Sequence, residues 1–285
     1  MNVKTKSLKD GFFIYLDSIC RYSQCTIREY QSILRKVHCT NRWCRSMNVE
    51  KARDLVMQFA EEGLAPSTIN RYVSMLRVFF LYLQKINVVD NNPFRVINSL
   101  RKEKKIPQFL VKSELRKLTT HNWSDSIKDK QDKLCLNFML HYGLRVSEVC
   151  NLKVGDLDYL QQVINIRNGK GNKDRRIPML PCDIDQFRKI AISYSKDCAV
   201  FPGRLSTPSK IRYMVKRRIN QICCRQEISP HVLRHSFATM LINNGCPIHI
   251  IKSLLGHSSV ATTQMYAHVT IGKLRSEYKA AFVRN

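Results

Sequence analysis

The chain has 285 residues, 44% of them hydrophobic, with only 10 Gly and 9 Pro, a composition that excludes collagen-like and largely disordered proteins. Its 48 Lys and Arg stand against 22 Asp and Glu, and the resulting net charge of +26 self-repels unless a polyanion screens it. A nucleic-acid partner is therefore expected before any motif is read.

The eleven cysteines are odd in number, irregularly spaced and without a CxxC pair, which argues against a disulfide framework. Free thiols in a reducing cytoplasm, with the protein associated with the nucleoid and no membrane partner, are the expectation. Cys39 and Cys44 beside His38 lack a second ligand pair at workable spacing, so no metal is expected.

Residues 1–100 read as a helical domain. From Ser67 the run STINRYVSMLRVFFLYL places Ile69, Tyr72, Val73, Leu76, Phe79, Phe80 and Leu83 at helical spacing, and Pro66 and Ser67 mark its start. Arg71 and Arg77 fall mainly on the other side. They are either a solvated face or DNA contacts, because a helix fits the major groove and its arginines reach phosphates or guanine edges. Residues 101–107, RKEKKIP, combine a charge run with a proline and read as a basic linker. Lys and Arg outnumber Asp and Glu by 19 to 9 over residues 1–105 and by 29 to 13 over the rest. Two basic lobes suit a clamp that tracks the phosphate backbone.

The second domain, 108–285, opens with helical text through Leu134–Leu152. VINIR at 163–167 and RRIPM at 175–179 flank the turn NGKGNKD and predict a β-hairpin whose tip carries Lys170 and Lys173. With Arg175 beside it, this hairpin is a second candidate DNA contact. Helical patterns follow, with Pro230 and Pro247 as first-turn residues. In the last segment Ile271, Leu274, Tyr278 and Phe282 share one helical face. That face packs on its own domain or docks on a neighbouring subunit.

Four clusters carry the chemistry: GLRVSE at 143–148, GKGNK at 169–173, HVLRH at 231–235 and LLGHSSVATTQMY at 254–266. Each has a plain alternative: Arg145 pairing with Glu148, Lys170 as a turn lysine, Tyr266 as a packed tyrosine. His231 and His235 stand four apart, but Arg234 between them would repel a cation. Gathered at one point, two arginines, two histidines and a lysine would surround a phosphate with donors and positive charge. No carboxylate pair is offered to hold a metal. Tyrosine is then the obvious nucleophile.

These clusters, with the Thr-Ile-x-Arg helix before Phe79-Phe80 and a tyrosine nine residues after His257, resemble the tyrosine recombinases, the phage-integrase family, in a minimal Xer-like form. The resemblance implies Arg145, Lys170, His231, Arg234, His257 and Tyr266 at the six catalytic positions, with Tyr266 the nucleophile. It implies a mainly α fold: an N-terminal SAM-like core-binding bundle and a helical catalytic domain with a small antiparallel sheet, closing as a C-shaped clamp on duplex DNA. It further implies strand exchange through a 3′-phosphotyrosyl intermediate and a Holliday junction, without cofactor. Inverted-repeat core sites would each take a dimer, and four protomers would synapse, with C-terminal tail exchange and any accessory protein or second recombinase left open. Cointegrate resolution or integration of a mobile element, and resolution of replicon dimers, are the candidate roles. A type IB topoisomerase and a DNA-binding module without cleavage are the alternatives.

Overall fold

The computed structural model describes residues 7–101, 109–167, 174–226, 228–256 and 271–283. The chain divides into two compact units, residues 1–105 and 106–285. The expected linker falls outside the described residues except for Arg101, as do Lys170, Lys173, His257 and Tyr266.

The first unit is helical: α1 (Leu8–Ile14), continued by a π turn at Tyr15–Ile19, then α2 (Gln24–Lys36), α3 (Asn41–Ser46), α4 (Val49–Glu61) and α5 (Pro66–Lys85). Side-chain oxygens of Ser7, Ser23, Thr40 and Asn48 accept from first-turn N–H groups of the helices they precede, satisfying donors that a helix leaves orphaned. Pro66 occupies the first turn of α5, where its missing N–H costs nothing. Ile69, Val73, Leu76, Phe80 and Leu83 bury the predicted stripe of α5 against Phe12, Ile33 and Phe94.

The polar face of α5 is divided in its use. Asn70 bonds both the N–H and the C=O of Leu100, at 2.7 and 2.8 Å. Arg77 donates from Nε to Phe94 O at 3.1 Å and from Nη2 to Ile97 O at 2.9 Å. The Arg77 guanidinium, expected as a DNA contact, thus clips the 94–97 segment to α5, meeting Ile97 O and adding a second donor to Phe94 O, which also accepts from Ile97 N–H at 3.4 Å.

The second unit contains α6 (Lys112–Thr120), α7 (Ile127–Leu140), α8 (Val146–Asn151), α9 (Pro181–Ser193), α10 (Pro208–Cys223), α11 (Pro230–Asn243), α12 (Ile248–Leu255) and α13 (Ile271–Val283). Its three-stranded antiparallel sheet has the order β1 (Leu157–Asp158), β2 (Val163–Ile166), β3 (Arg175–Pro178). The predicted hairpin is β2–β3, in a register that sets Ile166 opposite Arg175. β1 carries too few residues to show alternation and was not legible.

The helical text at 134–152 is in fact two helices. α7 ends at Leu140, and Gly143 at φ +61° turns the chain so that Leu144 N–H reaches Phe138 O at 3.1 Å. A side chain at 143 would drive its Cβ to 2.5 Å from the Phe237 ring, so glycine is required by both conformation and space. Pro230 starts α11 as expected, whereas Pro247 stands one residue before α12.

The core of this unit joins Phe138 and Phe187, ring-stacked at 5.1 Å, with Phe237, Leu254 and Tyr278. Tyr278 is fully buried and Leu274 and Ala281 nearly so; α13 therefore packs on its own unit. Among the described residues no helix is long and apolar enough to cross a membrane, and all eleven cysteines are free thiols.

Candidate active site

The turn after Gly143 ends at Arg145, which stands at the N-terminal boundary of α8 in extended conformation. The sequence placed Arg145 inside a helix; the glycine turn moves it to the helix start. There its own N–H donates to Glu148 Oε2 at 2.8 Å and its Nη1 to Glu148 Oε1 at 2.7 Å, the pairing expected from the i, i+3 spacing. One carboxylate thus caps α8 and holds the Arg145 side chain.

Glu148 also takes Arg175 of β3, Nη1 to Oε1 and Nη2 to Oε2, both at 2.8 Å. Arg175 Nε donates to Leu254 O at 2.7 Å, and only 7% of its side chain is exposed. Arg175, expected as a DNA contact, has its donors engaged by Glu148 and Leu254 within the protein. Gly256, at φ +62° after α12, lets this arginine lie close, since a Cβ there would sit 3.0 Å from Arg175 Cδ.

Arg234 enters from α11. Its guanidinium donates to Gly143 O and to Leu255 O and lies 3.7 Å from Glu148 Oε2. The last carbonyls of α12, which no helical N–H can reach, are therefore met by Arg175 and Arg234. His231 lies one turn earlier on α11 and is exposed, as is His235, whose ring lies 6.2 Å from that of Phe109.

Three guanidiniums thus face one carboxylate, with a surplus of two positive charges. Burial, and then the charge of Arg145, pull the Arg234 pKa down to about 9, with Arg175 adding to the effect against the opposing pull of Glu148. Arg234 still carries its charge at neutral pH. Burial pushes Glu148 the other way, but the hydrogen bonds and charge of Arg175 and then Arg145 hold its carboxyl at about 2. A site with buried, over-abundant positive charge is built to receive an anion.

A separate polar groove of about 390 Å³ lies in the first unit, lined by Thr26 and Glu29 of α2 and by Ser67, Asn70, Arg71 and Ser74 of α5. Arg71 keeps 54% of its side chain exposed, with a 3.6 Å ion pair to Glu29 and its guanidinium 5.7 Å from the Tyr72 ring centroid. Of the two arginines read from this helix, Arg71 is the one available to a ligand.

Residues 108–272 match the phage integrase family, and residues 10–87 match the N-terminal SAM-like domain of phage integrases. The chain belongs to the phage integrase family of tyrosine recombinases. It is 31% identical over 284 residues to tyrosine recombinase XerC of Bacillus licheniformis, covering 94% of this chain and 93% of that protein. XerC of Lacticaseibacillus casei is 34% identical over 230 residues, 76% of this chain and 77% of that one. The chain is a site-specific DNA recombinase of the Xer type. Its fold matches the Tn1549 transposon integrase solved with transposon right end DNA, at TM-score 0.70 and 20% identity over 95% and 98% of the two chains. It also matches the XerH site-specific recombinase bound to palindromic difH substrate, at TM-score 0.67 and 22% identity over 96% and 85%.

Of the residues expected at the site, the structure brings Arg145 and Arg234 together at Glu148, whose pairing with Arg145 the spacing suggested. The spacing does not show that Glu148 is shared by three arginines, because the third, Arg175, lies 27 residues away across the sheet.

Proposed function

We propose that this recombinase cuts and rejoins duplex DNA through a 3′-phosphotyrosyl intermediate on Tyr266 and a Holliday junction, with the scissile phosphate seated at Arg145 and Arg234. The observation that carries the reading is the surplus of two positive charges around Glu148, half of which a phosphodiester monoanion would offset and all of which the doubly charged transition state would meet. Arg145 has 20% of its side chain exposed, enough to meet a non-bridging oxygen while Glu148 keeps it aimed. Preorganised donors of this kind contribute a few kcal/mol each to a transition state that gathers charge on those oxygens.

A tyrosine with a pKa near 10 is phenolate in only about one molecule in a thousand at pH 7, a handicap of roughly 4 kcal/mol. His231, exposed one turn before Arg234, is assigned to accept the Tyr266 proton, and His257 to hydrogen-bond the phosphate. Lys170, in the segment joining β2 to β3, would protonate the departing 5′ oxygen. The P–O bond to that oxygen breaks as the bond to the tyrosyl oxygen forms. Attack by a partner strand's 5′ hydroxyl reverses the step, so the phosphate bond energy is kept and no ATP is needed.

The first unit is assigned to bind the core site, with the groove bearing Arg71 towards DNA, and the second unit to catalyse. Inverted-repeat half-sites would take one protomer each, and two such dimers would synapse as a tetramer. The XerC-named relatives favour resolution of replicon dimers as the role; the +26 charge is the feature that speaks for a mobile element.

The test is a nicked suicide substrate carrying candidate sites, incubated with wild type and Tyr266→Phe. A covalent protein–DNA band that vanishes in the variant supports the assignment. A band that persists moves the nucleophile elsewhere, and site-independent relaxation of supercoils would favour a topoisomerase.

A further inference from the structure

Behind the turn that carries Arg145, three potential metal ligands of different chemistry converge: His141 at the end of α7, and Cys182 and Asp183 in the first turn of α9. One donor atom from each lies within 4.8 Å of the others. His141 Nδ1 is already 3.1 Å from Asp183 Oδ2. Tetrahedral zinc, with bonds of about 2.0 Å to N and O and 2.3 Å to S, sets its ligands roughly 3.3–3.6 Å apart. Histidine and aspartate therefore stand at ligand spacing now, and Cys182, exposed on the surface, closes the remainder by side-chain rotation.

The surroundings resemble the outer support of a metal centre. Asp183 is almost fully buried and accepts from Tyr142 Oη at 2.7 Å, and Tyr142 Oη accepts from Leu180 N–H at 3.2 Å. Tyr142 and His141 both meet Asp183 at Oδ2, and these bonds fix the carboxylate. A buried tyrosine–aspartate–histidine chain would tether α7 to α9 without help from a thiol; the thiol at its outer end is what the tether does not use.

We infer that His141, Cys182 and Asp183 form a binding site for a divalent transition-metal ion of the zinc type, with solvent in the fourth position. Nitrogen, sulfur and oxygen donors together suit a borderline-soft cation and not magnesium or calcium. On binding, the thiol proton passes to solvent, and the imidazole ligates through Nδ1 as the neutral tautomer with its hydrogen on Nε2. The ion would also grip the seat of α13, since Tyr278 Oη donates to the His141 carbonyl and the Phe282 ring lies 5.0 Å from the His141 ring. Tyr266 precedes Ile271 by five residues, so a metal that steadies α13 acts close in sequence to the expected nucleophile.

The experiment is a cobalt(II) titration of the reduced, chelator-stripped full chain, followed by displacement with zinc. The expected result is one ion per chain with a thiolate-to-cobalt charge-transfer band, lost in Cys182→Ser and in His141→Gln. An unchanged thermal unfolding midpoint in metal-free Cys182→Ser shows that the fold is kept. A wild type without the band, or a band that survives Cys182→Ser because another thiol supplies it, overturns the site. Hydrogen exchange over 271–283 reads the link to α13: slower exchange with zinc in wild type alone is expected. Equal exchange with and without zinc overturns that link. None of these readouts depends on recombination.

Discussion

Arg175 and Glu148 form a bidentate pair, two N–O distances of 2.8 Å between side chains only 7% and 5% exposed. Glu148→Gln keeps the shape but leaves Arg145, Arg175 and Arg234 without a counter-charge. Breaking one partner of a buried pair costs on the order of 3 kcal/mol or more. Urea unfolding of the variant is expected to show that loss, partly restored by sulfate, which would occupy the phosphate position. A variant as stable as wild type would mean that the arginines do not depend on this carboxylate.

The same pair sets an acid limit. Burial alone would raise the Glu148 carboxyl, but Arg175 and then Arg145 hold it at about 2 against an ordinary 4.5. Because the folded-state value is depressed, the stabilisation is complete above pH 4.5 and is lost as pH falls towards 2. The drop corresponds to roughly 3 kcal/mol. Stability measured from pH 6 down to 2 should fall more steeply in wild type than in Glu148→Gln, by about that amount. Parallel curves would contradict it.

Much of this was legible in the sequence because local patterns carried it. The α5 stripe, the β2–β3 hairpin and the Arg145–Glu148 spacing all follow from residues within one turn or one loop. Arg77 and Arg175 each read as a ligand contact on a basic chain, and what occupies each guanidinium is brought from elsewhere: backbone for Arg77, and backbone together with the Glu148 carboxylate for Arg175. For Arg77 these are carbonyls 17 and 20 residues on, and for Arg175 a carbonyl 79 residues on. Those partners are fixed by tertiary packing, which no periodicity reports. The break in the 134–152 helix was signalled by Gly143, yet its apolar neighbours concealed it.

Gly143 sits at φ +61°, where an alanine Cβ would also lie 2.5 Å from the Phe237 ring. Gly143→Ala is expected to cost about 2–4 kcal/mol from backbone strain and overpacking together. Its carbonyl also receives Arg234, so DNA cleavage should fall further than stability alone explains. Comparing cleavage rates at a temperature where both proteins are fully folded separates the two effects. Equal rates there would show that the turn does not aim the arginines.

The two arginines of α5 should part company when each is replaced by alanine. Arg71 is 54% exposed at the groove, so Arg71→Ala should weaken DNA binding and lower the salt dependence of log K by about one counterion, with little change in stability. Arg77→Ala removes donors from Phe94 O, which keeps Ile97 N–H, and from Ile97 O, at a cost of about 1–3 kcal/mol, and should leave the salt slope unchanged. Binding isotherms across salt concentrations, with urea unfolding, distinguish them. The reverse pattern would return Arg77 to the DNA surface.

Tyr278 is wholly buried against Phe237 and Phe282, and its hydroxyl donates to His141 O. Tyr278→Phe removes only that donor and should cost about 1 kcal/mol, whereas Tyr278→Ala also opens a cavity and should cost about 3–5 kcal/mol. Both costs arise within the unit on which the last helix packs, so they should not depend on protein concentration. If α13 instead exchanged between subunits, unfolding of wild type would shift with concentration and Tyr278→Ala would abolish that shift. Denaturation over a hundredfold range of concentration decides between the two arrangements. The packing of Leu274, Tyr278 and Ala281 into one core sets the expectation of no shift for the free protein.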